Sequence, residues 1–262
     1  MSVSFFNANL FREALGEGSA QAVSDLVLFE EIDSTSSWLM KQPGNGAPVG
    51  TVVIAQRQTG GRGRSGNSWH STHNENLYIS YALRIEGEIE NRLPLVPLAA
   101  GIAAYEALSA LQVTDVRLKW PNDLMLHDRK VGGILCETPG ISGDAAVAVV
   151  GMGVNIGAQP FPEELMRIAH YICPASDMPA FRERLAARWI VSLFRWCERI
   201  QSSEVVALID RWKQAGEPFG RLVRVGDVVG HTMDLNDEGR LLVRQSDGEI
   251  RVIPGGMVTH LD

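Results

Sequence analysis

The chain is expected to adopt an α+β fold in which a largely antiparallel sheet carries helices and is followed by a small β-barrel. Three observations predict it. Between Thr51 and Val154, β-branched and apolar runs are separated by Gly, Asp and Asn turns, the signature of strands and hairpins. Two segments, Phe181–Ile200 and Glu204–Ala215, carry apolar residues three and four apart with charges between them, as amphipathic helices do. After Gly216 and Pro218 the pattern changes again, to short strands broken at Gly226-Asp227, Asn236–Gly239, Ser246–Gly248 and Pro254–Gly256, a spacing that suits a small barrel.

In chain order, residues 5–15 read as a short helix ending near Gly16, weakened by Asn7 and Asn9. Asp33-Ser34-Thr35 supplies side-chain acceptors for orphan amides, so a helix is expected to start there and run through Trp38-Leu39-Met40. The Gly/Pro-rich stretch Pro43–Gly50 separates it from a strand at Thr51–Gln56, and a second strand at Asn76–Ile85 follows. Leu93–Val113 reads as a buried helix around Gly101. Strands follow at Val116–Trp120, Lys130–Glu137 and Ala145–Val154, with turns near Asp128 and at Gly140–Gly143.

The 262 residues are enough for one large domain and one small one. The division expected is an N-terminal extension over 1–26, a main domain over 27–216 and a small domain over 217–262. A hydrophobic content of 45% with 21% charged residues is that of a folded globular chain rather than a disordered one. A net charge of -7 argues against a general nucleic-acid binder, whose affinity rests on many phosphate contacts. Cys136, Cys173 and Cys197 show neither disulfide-framework nor zinc spacing and read as reduced packing residues. No apolar run approaches the roughly 20 residues of a membrane span, and the N-terminus lacks the pattern of a signal peptide. No membrane contact is expected, and a cytoplasmic location is.

Five polar clusters fall at strand ends or turns, where they can converge. They are Asp33-Ser34-Thr35; Gln58 with the loop Gly60-Gly61-Arg62-Gly63-Arg64-Ser65-Gly66-Asn67-Ser68-Trp69; Lys119-Trp120-Pro121-Asn122-Asp123; Lys130-Val131-Gly132-Gly133-Ile134-Leu135; and Gly151-Met152-Gly153-Val154-Asn155. Each has a structural explanation on its own: a helix cap, a solvated surface loop, a turn, a solvated lysine, a bulge. Together and in this order they point to one site. Two arginines in a glycine-rich loop suit an anion, because the backbone can approach closely and guanidinium groups bind phosphate or carboxylate bidentately.

From about Val27 onward the chain resembles the biotin protein ligases, most specifically at Gly61-Arg62-Gly63-Arg64-x-Gly66 with Trp69, at Lys119–Asp123 and at Lys130-x-Gly132-Gly133-Ile134-Leu135-x-Glu137. The resemblance implies a central mixed sheet with flanking helices and an SH3-like C-terminal barrel. It implies that ATP and biotin form biotinyl-5'-AMP, and that a lysine of a biotin carboxyl-carrier domain then takes the biotin. Biotin's ureido ring needs donors and acceptors in an apolar slot, and the resemblance assigns it Ser34, Thr35, Ser36, Gln58, Gly61, Arg62, Gly63, Arg64, Lys130 and Gly133. Arg62, Arg64 and Lys130 are the catalytic candidates, offsetting the repulsion between two anions and stabilising the transition state. Trp69, Lys119, Asn122, Asp123 and Asn155 are the ATP candidates, Asp123 also being the candidate Mg²⁺ ligand, and Trp120 is assigned to the core.

The mixed anhydride must be shielded from water, which makes the arginine loop a candidate lid. Ser36 stands where the family commonly has Asn, and Asn67 where a third arginine is frequent. Met257–Asp262 has no obvious basic residue, so no nucleotide contact is expected from the small domain. Only about 30 residues precede the ligase-like region, and no DNA contact is expected; the state is a monomer or a homodimer. Two alternatives remain: a lipoate-type ligase or acyltransferase of the same fold, and a non-catalytic biotin- or nucleotide-sensing regulator.

Overall fold

The computed structural model describes residues 5–16, 21–42, 48–72, 74–172, 178 and 180–261. Helix α1 spans Ala8–Leu15. Asn7 does not weaken it but caps it, its side chain accepting from Asn9 N and Leu10 N, because the residue lies one step before the first helical turn. Phe11 and Leu15 sink into the core, and residue 27 falls inside strand β1, Asp25–Ile32. The described residues before 27 therefore pack with the larger domain through Phe6, Phe11, Leu15 and Ala22.

Helix α2, Thr35–Met40, begins where the capping residues predict, with the Ser34 side chain accepting from Ser37 N. Strand β2 spans Thr51–Gln58 and β3 Leu77–Glu86. A short helix α3, Ile89–Arg92, and a 3-10 turn lead into α4, Val96–Ala110. Ile89–Ala110 is long and apolar enough to cross a membrane, with mean hydropathy 1.4, which corrects the expectation that no run comes close. Its apolarity has another cause: α4 lies buried against β4 and β6 of the sheet and against α5. Strands β4, Val116–Lys119, β5, Asp123–Leu126, β6, Arg129–Glu137, β7, Ile141–Ser142, and β8, Ala145–Val154, complete the large sheet. Helices α5, Phe181–Gln201, and α6, Val205–Ala215, follow.

The strand order is β1-β2-β3-β8-β6-β5-β4 with β7 on β8, and the pairing is antiparallel except for β1 with β2, which is parallel. Successive residues of a strand point to opposite faces. Along β3, Leu77, Ile79, Tyr81, Leu83 and Ile85 join the main core with α4 and α5, whereas Ala82 joins Leu39, Val53 and Val149 in a smaller cluster with α2. One face of the sheet is thus a dry helical core; the other holds α2 and the polar clusters.

The C-terminal residues form a second, five-stranded antiparallel sheet ordered β12-β11-β10-β9-β13: β9 Leu222–Val225, β10 Val228–Leu235, β11 Leu241–Arg244, β12 Ile250–Ile253 and β13 Val258–His260. Trp120 seals this small domain to the large one: it is buried, and its Nε1 donates to Gly239 O at 3.0 Å. Cys136 and Cys197 are free thiols, and burial pushes the Cys136 thiol up to about 12, which keeps it protonated. Cys173 and residues 43–47 of the Gly/Pro-rich stretch lie outside the described residues.

Candidate active site

A cavity of about 680 Å³ opens on the α2 side of the sheet. Its first end is built from hydroxyls and an amide. The first turn of α2 points Thr35 and Ser36 at β3, where Thr35 Oγ1 lies 2.7 Å and Ser36 Oγ 2.9 Å from Ser80 Oγ. Gln58, the last residue of β2, accepts from Thr35 N at 2.9 Å and donates to Ser71 Oγ at 2.9 Å. Ser34 caps the helix and lines the same end. Gly151 is the floor there: a Cβ would stand 2.6 Å from Ser36 Oγ.

The other end is cationic. Lys130, at the start of β6, pairs with Asp123 of β5 at 2.6 Å, and its Nζ sits 5.4 Å from the Trp69 ring. Trp69 lies flat on the sheet, where a Cβ on Gly153 would come within 2.6 Å of the indole and one on Gly133 within 3.5 Å. Glycine at 153 is the condition for an aromatic floor at this depth, whereas at 133 the tighter neighbour is Lys130 Cε, 3.1 Å from where a Cβ would stand. The buried Trp69 Nε1 has no partner. Lys119 also lines this end. Burial lowers its pKa, against the opposing pull of Glu217 and Asp123.

The arginine loop is an ordered hairpin across the cavity. Trp69 N donates to Gly61 O at 2.8 Å, Gly63 N to Asn67 O at 2.7 Å and Asn67 N to Arg64 O at 3.1 Å. Arg64 Nη1 reaches Asn122 Oδ1 at 3.1 Å, and Asn122 Nδ2 in turn donates to Ile134 O at 2.6 Å. Arg62 turns to Ser37 Oγ at 3.2 Å and to the Glu137 carboxylate.

Of the residues assigned to biotin, ATP or catalysis from the sequence, all but Gly61 line this one cavity. Gly61 is the base of the hairpin, and a side chain there would run into Ser71 and the Trp69 carbonyl. Asn155 lines the cavity, yet its amide is committed within the protein: Nδ2 donates to His170 O at 3.0 Å, and Oδ1 lies 3.5 Å from Asn76 Nδ2. It braces the segment after β8. Gly256–His260 of the small domain also form part of the wall, and the Trp120 bond to Gly239 O at 3.0 Å ties that domain to the large one.

Sequence reasoning did not single out Ser80, Ser71, Ser37, Glu137 or Asn76 as site residues. Ser80 left a signal: it is a polar residue inside the apolar run Leu77–Ile85, and it is fully buried. Asn76 is 1% exposed and ties Tyr78, Gln159 and Ile156 N together at 3.0, 3.0 and 2.8 Å, a role that depends on contacts up to 83 residues apart.

A parallel edge pair, a mainly antiparallel sheet with a helical back, a small β domain and a cavity pairing a hydroxyl end with a cationic end define a ligase of the biotin and lipoate class. The model of the biotin/lipoate A/B protein ligase family matches residues 28–155. A bifunctional ligase/repressor BirA of Salmonella typhimurium is 34% identical, over 87% of this chain and 72% of its own. The biotin--[acetyl-CoA-carboxylase] ligase of Mycobacterium tuberculosis is 29% identical, over 95% of this chain and 93% of its own. Among solved structures, the biotin protein ligase of Aquifex aeolicus in complex with biotin and ATP superposes with a TM-score of 0.74 at 26% identity, covering 90% of this chain and 98% of that one. The chain belongs to the biotin/lipoate A/B protein ligase family, and within it to the biotin protein ligases.

Proposed function

We propose that this protein couples ATP cleavage to attachment of biotin to one lysine of a biotin carboxyl-carrier domain through biotinyl-5'-adenylate. The observation that carries this reading is the single cavity whose hydroxyl and amide end, Thr35, Ser36, Ser80 and Gln58, runs without interruption into the cationic end at Arg64, Lys119 and Lys130. Its volume of about 680 Å³ is in the usual range for pockets that enclose small substrates.

Biotin's two ureido N–H groups and carbonyl meet the hydroxyls and amide at the first end, which offer both donors and acceptors. Its carboxylate points toward the cations. A carboxylate oxygen then attacks the α-phosphorus of ATP, the bond to the β-phosphate oxygen breaks, and pyrophosphate leaves. Arg62, Arg64 and Lys130 offset the charge of the two anions and of the transition state, an effect that is strong because the groups are already in place. Trp69 presents a ring face to the adenine. In the second step the carrier lysine's amine attacks the acyl carbon and AMP leaves.

Among the described residues no three His, Cys, Asp or Glu side chains cluster as a metal cage. The carboxylate of Asp123, which lines the cavity together with Asp128, fits Mg²⁺, which is usually held by one or two carboxylates together with substrate phosphates and waters. When bound, the ion supplies charge neutralisation on the phosphates; Asp123 is the residue that would hold it.

The test is to incubate the protein with ATP, Mg²⁺, a biotin carrier domain and labelled biotin or labelled lipoate, and to follow label on the carrier. Biotin transfer is expected. Transfer of lipoate in its place would contradict the reading, and biotin binding with no transfer would favour a sensor.

A further inference from the structure

We infer that Glu137 is the positioning residue of the arginine loop: it holds the Arg62 guanidinium across the site and so sets how long the biotinyl-adenylate is retained. The inference rests on the ligase reading above for its consequence, but not for its geometry.

Arg62 is the point where the hairpin reaches over the hydroxyl end of the cavity. Its Nη2 meets Glu137 Oε1, and its Nη1 donates to Ser37 Oγ at 3.2 Å. One side chain thus ties the loop both to the end of β6 and to α2. Glu137 shares a strand face with Gly133 and Leu135, since residues two apart point the same way, yet those two line the cavity and Glu137 does not. It therefore acts on the cavity through Arg62 rather than by lining it. The pair is partly exposed, with side chains 39% and 22% accessible, but Glu137 Oε2 is buried with no hydrogen-bond partner. When Arg62 swings away, the carboxylate loses its one charged partner while its second oxygen is already unsatisfied. Losing Arg62 leaves a carboxylate whose one oxygen is already buried and unsatisfied without its charged partner, which adds a desolvation cost to the loss of the contact. The loop is therefore biased toward the closed position before any ligand arrives. A bound adenylate inherits that bias as a slow release.

Two measurements test it. In the first, Glu137→Gln is loaded with biotin and ATP, and release of biotinyl-adenylate is timed. A release about tenfold faster than wild type is expected, from the loss of one charge-assisted hydrogen bond, with Glu137→Asp intermediate. In the Arg62→Ala background the same substitution is expected to add almost nothing, because the partner is already gone. Wild-type release rates in Glu137→Gln, or a full additional effect in the Arg62→Ala background, would overturn the inference. In the second, hydrogen exchange of amides 61–68 is compared in ligand-free wild type and Glu137→Gln. Faster exchange confined to the loop is expected, and equal exchange would overturn the inference. That arm needs no substrate, so a wild-type enzyme that makes no adenylate would defeat the ligase reading while leaving the loop contact separately tested.

Discussion

The two faces of the large sheet are made from the same strands and obey opposite rules. On the helical face the side chains are mostly apolar, and Trp189 and Glu106 find their partners there. Trp189 is fully buried and donates to Ala100 O at 3.1 Å. Glu106 accepts from Ser192 at 2.7 Å, Trp196 at 3.2 Å and Arg211 at 2.9 Å. On the α2 face the strands carry Ser80, Gly133, Gly151 and Gly153 at positions where the other parity carries leucine, isoleucine and methionine. There Trp69 Nε1 and Glu137 Oε2 are buried without partners, and the cations pair with carboxylates and amides that a ligand's phosphates can displace or join. Stability resides on one face and exchangeable polar contacts on the other. The comparison teaches that a period of two lets one set of strands serve both tasks.

Substitutions chosen from each face should separate the two tasks. The largest effect is expected from Trp189→Ala, about 3–5 kcal/mol lost in denaturant unfolding, while the folded fraction retains wild-type affinity for biotin; weakened biotin binding by the folded protein would mean that the faces are not independent. Lys130→Ala should do the reverse. Adenylate formation is expected to fall by about 10²–10³ while the unfolding midpoint stays close to wild type, and unchanged single-turnover adenylation would refute its role. Arg64→Gly should leave the fold intact and release adenylate to solution about tenfold faster, by removing a charge-assisted contact of the loop; release at the wild-type rate would count against a clamping role.

The smallest effect is a pH dependence on the helical face. Burial raises the Glu106 pKa, but hydrogen bonds from Ser192, Arg211 and Trp196 outweigh it, and the net shift is downward from 4.5. A carboxylate with a lowered folded pKa contributes stability above its unfolded value, and that stability is lost as pH falls through the folded value. Glu106→Gln should therefore cost about 1 kcal/mol at pH 7 and progressively less below pH 4.5. A difference between variant and wild type that stays flat from neutral to acid pH would contradict this.

Much of this division was legible in the sequence. The helices after Phe181, the strands from Thr51, Leu77, Arg129 and Ala145 and the turns of the small domain follow from period and punctuation, because each is long or sharply bounded. Strand β1 was not, since Asp25-Leu-Val-Leu-Phe-Glu-Glu-Ile32 alternates poorly: as a sheet edge it is only partly covered. Strand β5 escaped because four residues directly after Pro121-Asn122 read as the continuation of a turn. The motifs brought the cationic end into view, since arginine, lysine and glycine at fixed spacing have few other uses in combination. Ser80, Asn76 and the Glu137 contact with Arg62 were hidden, because their meaning lies in pairings 44 to 83 residues away in the chain.

The central claim is that the α2 face activates biotin as an adenylate held without a covalent bond to the protein. It is tested most directly by mixing the protein with biotin, ATP and Mg²⁺ in the absence of any carrier and identifying the products by mass spectrometry. The account predicts pyrophosphate and protein-bound, non-covalent biotinyl-5'-AMP, both formed about 10²–10³ more slowly in Lys130→Ala. Formation of ADP, or of biotin joined covalently to the enzyme as the obligatory intermediate, would contradict it.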